Sequence, residues 1–151
     1  MRTNCRVTLY QDAHVPPNLP QFLNMHLPPG ETYYPPSCWN DLYDTIMEAK
    51  EIICITGWAV WHKLQLFRGS DLSKDSRTLG EILRDRSEEE GGPKVYVMVW
   101  SEKTSGDFKR QGVMGTHDMD TYYYFKETKV TCVIAPRYSQ YFLRMTDCFN
   151  F

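Results

Sequence analysis

Residues 51–61, EIICITGWAVW, form the longest apolar run in the chain that is bounded by polar residues. Ile52, Ile53, Cys54 and Ile55 follow one another without a polar break. A half-exposed strand alternates apolar and polar side chains, so a continuous run of this kind predicts a central strand buried on both faces. Gly57 then interrupts it, and a glycine within a strand pattern marks a bulge or a close approach of backbone. Trp58, directly after, has two readings. It fills core volume, which is the usual fate of a large aromatic, or it lines a place where the strand opens onto a site.

Two further apolar stretches, residues 94–100 and 129–135, have the same character. Helical patterns separate them. Trp39, Leu42, Tyr43, Ile46 and Met47 share one face of a helix that Ser37 can cap and that ends near Lys50. Thr78 and Glu81 have the spacing of a capping box, followed by an apolar stripe of Leu79, Ile82 and Leu83. The charged residues 84–90 read as the solvated end of that helix, stopped by Gly91, Gly92 and Pro93. A third helix is expected from His117–Asp118 to Lys126, and a short one between Lys103 and Arg110. Upstream, residues 6–11 alternate at period two and read as a half-buried strand. Residues 15–36 hold most of the nine prolines and read as a long irregular loop. Strands alternating with helices argue for an α/β fold with a mixed, largely parallel sheet and helices on both faces.

The totals exclude more than they indicate. A net charge of −2 leaves no electrostatic footprint for nucleic acid. The five cysteines are odd in number and never spaced C-x-x-C, so free thiols in a reducing compartment fit better than disulfides or zinc. No apolar run reaches membrane-spanning length, and a soluble chain is expected.

Local chemistry is sparse. The histidines are His14, His26, His62 and His117, and none has a lysine two residues on. Asp12 and His14 flank Ala13 at a strand end, where i and i+2 side chains point the same way and could converge on one ligand. The commoner account is an aspartate bonding its own turn. His117–Asp118 is open to acid–base chemistry or, more cheaply, to a helix cap with a neighbouring histidine.

Several uncommon motifs then occur in a fixed order. VTLYQDAHVP (residues 7–16) resembles the opening of the catalytic region of plant phospholipase D. CWND (38–41) is similar to that family's C-W-E-D helix start, and ITGWAV (55–60) to its I-T-G-W-S-V strand. TLGEIL (78–83) resembles T-L-G-E-L-L, and VMVW (97–100) resembles L-L-V-W. GVMGTHD (112–118) and APRY (135–138) look most like the beta, gamma and delta classes. The likeness runs from about Cys5 to Tyr138.

The resemblance implies an incomplete first half of a phospholipase D-type catalytic domain over residues 5–138. Residues 139–151 depart from the family and are expected to be a poorly ordered tail. Enzymes of the family cleave the distal phosphodiester of phosphatidylcholine through a phosphohistidine, using two H-x-K-x-x-x-x-D motifs. Neither motif occurs in these 151 residues. No catalytic role therefore falls on His14, His62 or His117, and the chain is expected to be a truncated or alternatively terminated form, inactive alone. By resemblance Asp12 corresponds to a calcium ligand, with calcium binding weak or absent without its partners, and Trp58 gains weight as a substrate-pocket wall. The expected partners are a phospholipid membrane surface and the full-length enzyme, in the cytoplasm with peripheral membrane association. The rival expectations are a non-catalytic lipid- or enzyme-binding module and an unstable truncated product.

Overall fold

The computed structural model describes residues 3, 5–10, 12–14, 28–31, 36–67, 73–105, 110 and 112–136. The expected tail at 139–151 and most of the proline-rich loop lie outside them, as do residues 106–109 of the short helix expected there. The chain divides into two compact units, residues 1–49 with 66–76, and residues 50–65 with 77–151.

The first unit is built on α1 (Cys38–Glu48). Its expected apolar face is used: Ile46 is fully buried, and the Tyr43 ring packs on Phe67 at 4.9 Å between centroids. Polar ties hold the rest. Tyr10 donates to Asp41 at 2.7 Å, Tyr43 donates to Asp75 at 3.0 Å, and Lys74 donates to Asn40 at 3.1 Å. Ser37 occupies the N-cap, yet its hydroxyl accepts from the Asn40 side chain rather than from a backbone N–H. Residues 6–10 do not form the expected strand, and Val7 and Leu9 are 81% and 85% exposed. Period-two alternation describes an extended chain; a strand also needs a neighbour for its ladder, which local sequence does not supply.

The second unit is a three-stranded parallel sheet in the order β1-β2-β3, formed by β1 (Ile52–Gly57), β2 (Lys94–Trp100) and β3 (Thr131–Ala135). Two helices make the crossovers, α2 (Leu79–Glu88) between β1 and β2, and α3 (Asp118–Phe125) between β2 and β3. The parallel α/β sheet expected from the strand–helix alternation is thus present. Both crossovers step across the sheet in the same direction, and right-handed crossovers then place both helices against one face. Burial follows this rule. On β2, Val95, Val97 and Val99 are sealed on the helix side, each contributing about 1.5–3 kcal/mol of burial. Tyr96, Met98 and Trp100 alternate with them and are exposed.

The same topology corrects the expectation for residues 52–60. β1 is an edge strand of this sheet, not its centre, and Ile52 and Cys54 are exposed. A continuous apolar run shows that both sides of a strand are apolar, but not that both are covered. Here the centre is β2, whose sequence reads equally apolar.

The α2 terminus is fixed as its capping box requires. Thr78 N–H donates to Glu81 Oε2 at 2.7 Å, and Glu81 N–H donates to Thr78 Oγ1 at 3.4 Å. The next two N–H groups, of Leu79 and Gly80, donate to the carbonyls of Leu64 and His62 at 2.7 and 2.8 Å. All of the helix's first donors thereby find partners. Gly80 is required by proximity: a Cβ there would lie 2.8 Å from the side chains of both His62 and Tyr124.

Candidate functional site

The register of β1 on β2 places Thr56 beside Met98 and Gly57 beside Val99. One residue on, at the carboxyl ends of both strands, stand Trp58 and Trp100. Their rings meet edge to face, with centroids 5.3 Å apart and planes at 81°. On the other flank Trp100 is paired with Ala135. Thr56, Gly57, Trp58, Met98, Trp100 and Ala135 line an open depression of about 290 Å³. Trp58 is 52% exposed and Trp100 40% exposed. None of the six lining residues carries a formal charge.

A second depression, of about 330 Å³, lies at the opposite end of the sheet between Lys94, Lys129 and Pro93. Ligands of open α/β sheets gather outside the carboxyl ends of the strands, which favours the tryptophan depression as the candidate site.

The segment leaving β2 is held by two buried carboxylates. Glu102 accepts from the Thr104 hydroxyl, from Met114 N–H at 2.8 Å and from the Thr116 hydroxyl at 2.7 Å. These donors, led by Thr104 and Met114, lower its pKa from 4.5 to about 2. Asp118 accepts from Glu102 N–H at 2.8 Å and from the Ser105 hydroxyl. Asp118 opens α3, but its carboxylate is spent on anchoring this loop. The N-cap position belongs to His117, in the left-handed conformation at φ 54°.

The segment leaving β1 is held by Thr121, which is wholly buried. Its hydroxyl donates to the Val60 carbonyl at 2.7 Å and accepts from His62 N–H at 3.3 Å. The His62 ring stacks on Tyr124 at 4.4 Å, and burial, then the Lys63 charge, lower its pKa. Trp61 stacks on His117 at 4.6 Å, while His117 Nδ1 lies 3.1 Å from Asp120. His62 and His117 are thus engaged with aromatic and hydroxyl or carboxylate partners.

Asp12 lies in an exposed turn in the first unit. Its Oδ1 accepts from His14 N–H at 2.9 Å, and His14 Nδ1 is 3.8 Å from the same oxygen. Calcium takes six to eight oxygen ligands. Among the described residues no three His, Cys, Asp or Glu side chains are grouped to hold a metal ion, so this turn alone does not fit the ion.

Residues 45–147 match the phospholipase D family, PLDc. The chain belongs to this family. It is 46% identical over 139 residues to phospholipase D alpha 1 of Nicotiana tabacum, 44% to phospholipase D alpha 1 of Oryza sativa, and 42% to phospholipase D alpha 2 of Arabidopsis thaliana. Each match covers 90% of this chain and 17% of the relative, so the chain spans about a sixth of the length of these plant proteins. The relatives are alpha-type, rather than the beta, gamma or delta classes that residues 112–118 and 135–138 resemble.

Within the phospholipase D segment, Trp58 was legible from its place after Gly57. Trp100 was not, because its pairing with Trp58 depends on the β1–β2 register. Glu102 gave no signal at all: nothing in Ser101-Glu102-Lys103 distinguishes a buried anchor from a solvated turn.

Proposed function

We propose that this chain is part of a plant phospholipase D catalytic region and supplies the surface on which a phospholipid head group rests. The reaction is hydrolysis of the distal phosphodiester of phosphatidylcholine, giving phosphatidic acid and choline through a phosphohistidine. The observation that carries this reading is the uncharged aromatic depression at the carboxyl end of a parallel sheet, in a chain whose residues 45–147 match the family. The four histidines lack the H-x-K-x-x-x-x-D context, so the nucleophile and the proton donor come from segments outside these 151 residues. The role of this segment is positioning: holding the head group in place lowers the entropy cost of the displacement performed elsewhere. Alone, the chain turns over no lipid.

Calcium at Asp12 would draw its remaining oxygen ligands from other parts of the phospholipase. No helix among the described residues is long and apolar enough to cross a membrane, which suits a peripheral association with lipid from the cytoplasm. Residues 112–118 and 135–138 support a beta-, gamma- or delta-type parent, and comparing those two segments across full-length enzymes of each class separates that assignment from an alpha-type one.

Installing the segment in place of the corresponding region of a full-length plant phospholipase D tests the reading. Retained choline release supports it, and loss of release from a folded chimera opposes it. A second reading, a non-catalytic module, is favoured by the open sheet face with Tyr96, Met98 and Val133 exposed. Pull-down of full-length phospholipase D by the purified chain tests that one.

A further inference from the structure

Val113 and Met114 stand side by side on the loop between β2 and α3, and they are 73% and 62% exposed. Single apolar side chains at a surface are ordinary; what sets this pair apart is its backbone. Val113 N–H donates to Thr104 Oγ1 at 2.9 Å, and Met114 N–H donates to Glu102 Oε1 at 2.8 Å. Both donors are satisfied from within the loop, and the side chains are left to the surface. Gly112 and Gly115 bracket the pair in the left-handed conformation, at φ 70° and 68°. Glu102, which holds the tip, is itself buried, accepts from the Thr116 hydroxyl and donates its N–H to Asp118.

The tip lies at the end of the sheet that carries the candidate site. Ser101 N–H donates to the Ala135 carbonyl at 2.8 Å, so the ladder between β2 and β3 runs up to the residue before Glu102. Two side chains are far fewer than the roughly 20–30 residues that each partner brings to a standard protein interface. A lipid boundary asks for less, because binding there scales with the apolar area buried. What it penalises is a polar group that loses water and gains no partner. The N–H groups of Val113 and Met114 already have theirs.

We propose that Val113 and Met114 insert into the head-group and acyl boundary of a phospholipid surface and dock the carboxyl end of the sheet on it. The inference rests on the phospholipid reading above and deepens it by naming the element that meets the bilayer. Glu102 is a positioning residue in this device: it touches no lipid and keeps the two apolar side chains presented.

Co-sedimentation of the purified chain with phosphatidylcholine vesicles tests this. Val113→Ser and Met114→Ser leave both backbone donors in place, and each should weaken vesicle binding about fivefold, with a larger loss for the double variant. Leu9→Ser, at a position equally exposed but in the other unit, should leave binding unchanged. A second measurement uses the unaltered chain and so does not depend on any variant folding. In phosphatidylcholine bicelles doped with a spin-labelled phospholipid, the methyl NMR signals of Val113 and Met114 should broaden more than that of Leu9. Absence of vesicle binding, unchanged binding by the double variant, or methyl signals that the spin label does not broaden would each overturn the proposal. Capture of the chain by full-length phospholipase D that the double variant loses would also overturn it, since the tip would then be a protein contact. Neither measurement needs turnover. Vesicle binding through Val113 and Met114 together with a folded chimera that releases no choline would oppose the catalytic reading alone, and choline release with unchanged binding by the double variant would oppose this inference alone.

Discussion

The Glu102 carboxylate occupies the space that a side chain on Gly112 would need. Gly112 is also in the left-handed region at φ +70°. Two independent constraints therefore fall on one residue: the backbone geometry favours glycine, and the carboxylate leaves no room for a Cβ. The consequence is specific, because that carboxylate organises the loop between β2 and α3 through Thr104, Met114 and Thr116.

Gly112→Ala should destabilise the fold by about 2 kcal/mol or more, since the left-handed conformation alone costs roughly 1–2 kcal/mol for a residue with a Cβ. Urea denaturation of the chain checks this. Gly91→Ala serves as the control, because Gly91 shares the left-handed conformation at φ 72° with open space around it. The Gly112 variant should lose more stability than the Gly91 variant, and the difference measures the displaced carboxylate.

Glu102 predicts an acid limb. Its folded-state pKa is lowered from 4.5 to about 2 by the donors around it, Thr104 and Met114 first. A depressed carboxyl contributes stability that is present above its ordinary value and is lost as pH falls through the folded value. Wild-type stability should therefore fall between about pH 5 and pH 2, and Glu102→Gln should be less stable near pH 6 with a smaller drop in that window. The midpoint of urea denaturation against pH gives the answer; parallel curves for the two proteins would exclude Glu102 as the titrating group.

Thr121 is a buried hub linking α3 to the segment that follows β1. Thr121→Val keeps shape but removes the donor to the Val60 carbonyl and the acceptor for His62 N–H. Each stranded buried group costs about 1–3 kcal/mol. Thr121→Ser restores the hydroxyl and should recover most of the loss. Thermal unfolding of the three proteins distinguishes the hydrogen bonds from the packing of the threonine methyl.

Much of the second unit was legible in the sequence, and the reasons are local ones. The capping box at Thr78 and Glu81, the stripe of Leu79, Ile82 and Leu83, and the stop at Gly91–Pro93 are short-range signals that neighbouring residues decide. What escaped was non-local. β1 reads as a central strand, yet its place at the edge comes from the sequential order of the strands and the shared direction of the crossovers. Residues 6–10 read as a strand by alternation but have no ladder partner among the described residues. At the site, Trp58 was visible and its perpendicular partner Trp100 was not, because only the register brings them together. Asp118 looked like a cap, but its carboxylate anchors Glu102 N–H and the Ser105 hydroxyl, a use of the side chain that spacing does not encode.

Choline release from phosphatidylcholine vesicles by the purified 151-residue chain, with and without calcium, most directly tests whether the reacting groups lie outside it. A full-length plant phospholipase D runs in parallel as the positive control. The expected result is release by the full-length enzyme and none above the buffer blank from the chain. Release that scales with the concentration of the chain and survives repurification would contradict this, because the nucleophile would then have to lie within these 151 residues.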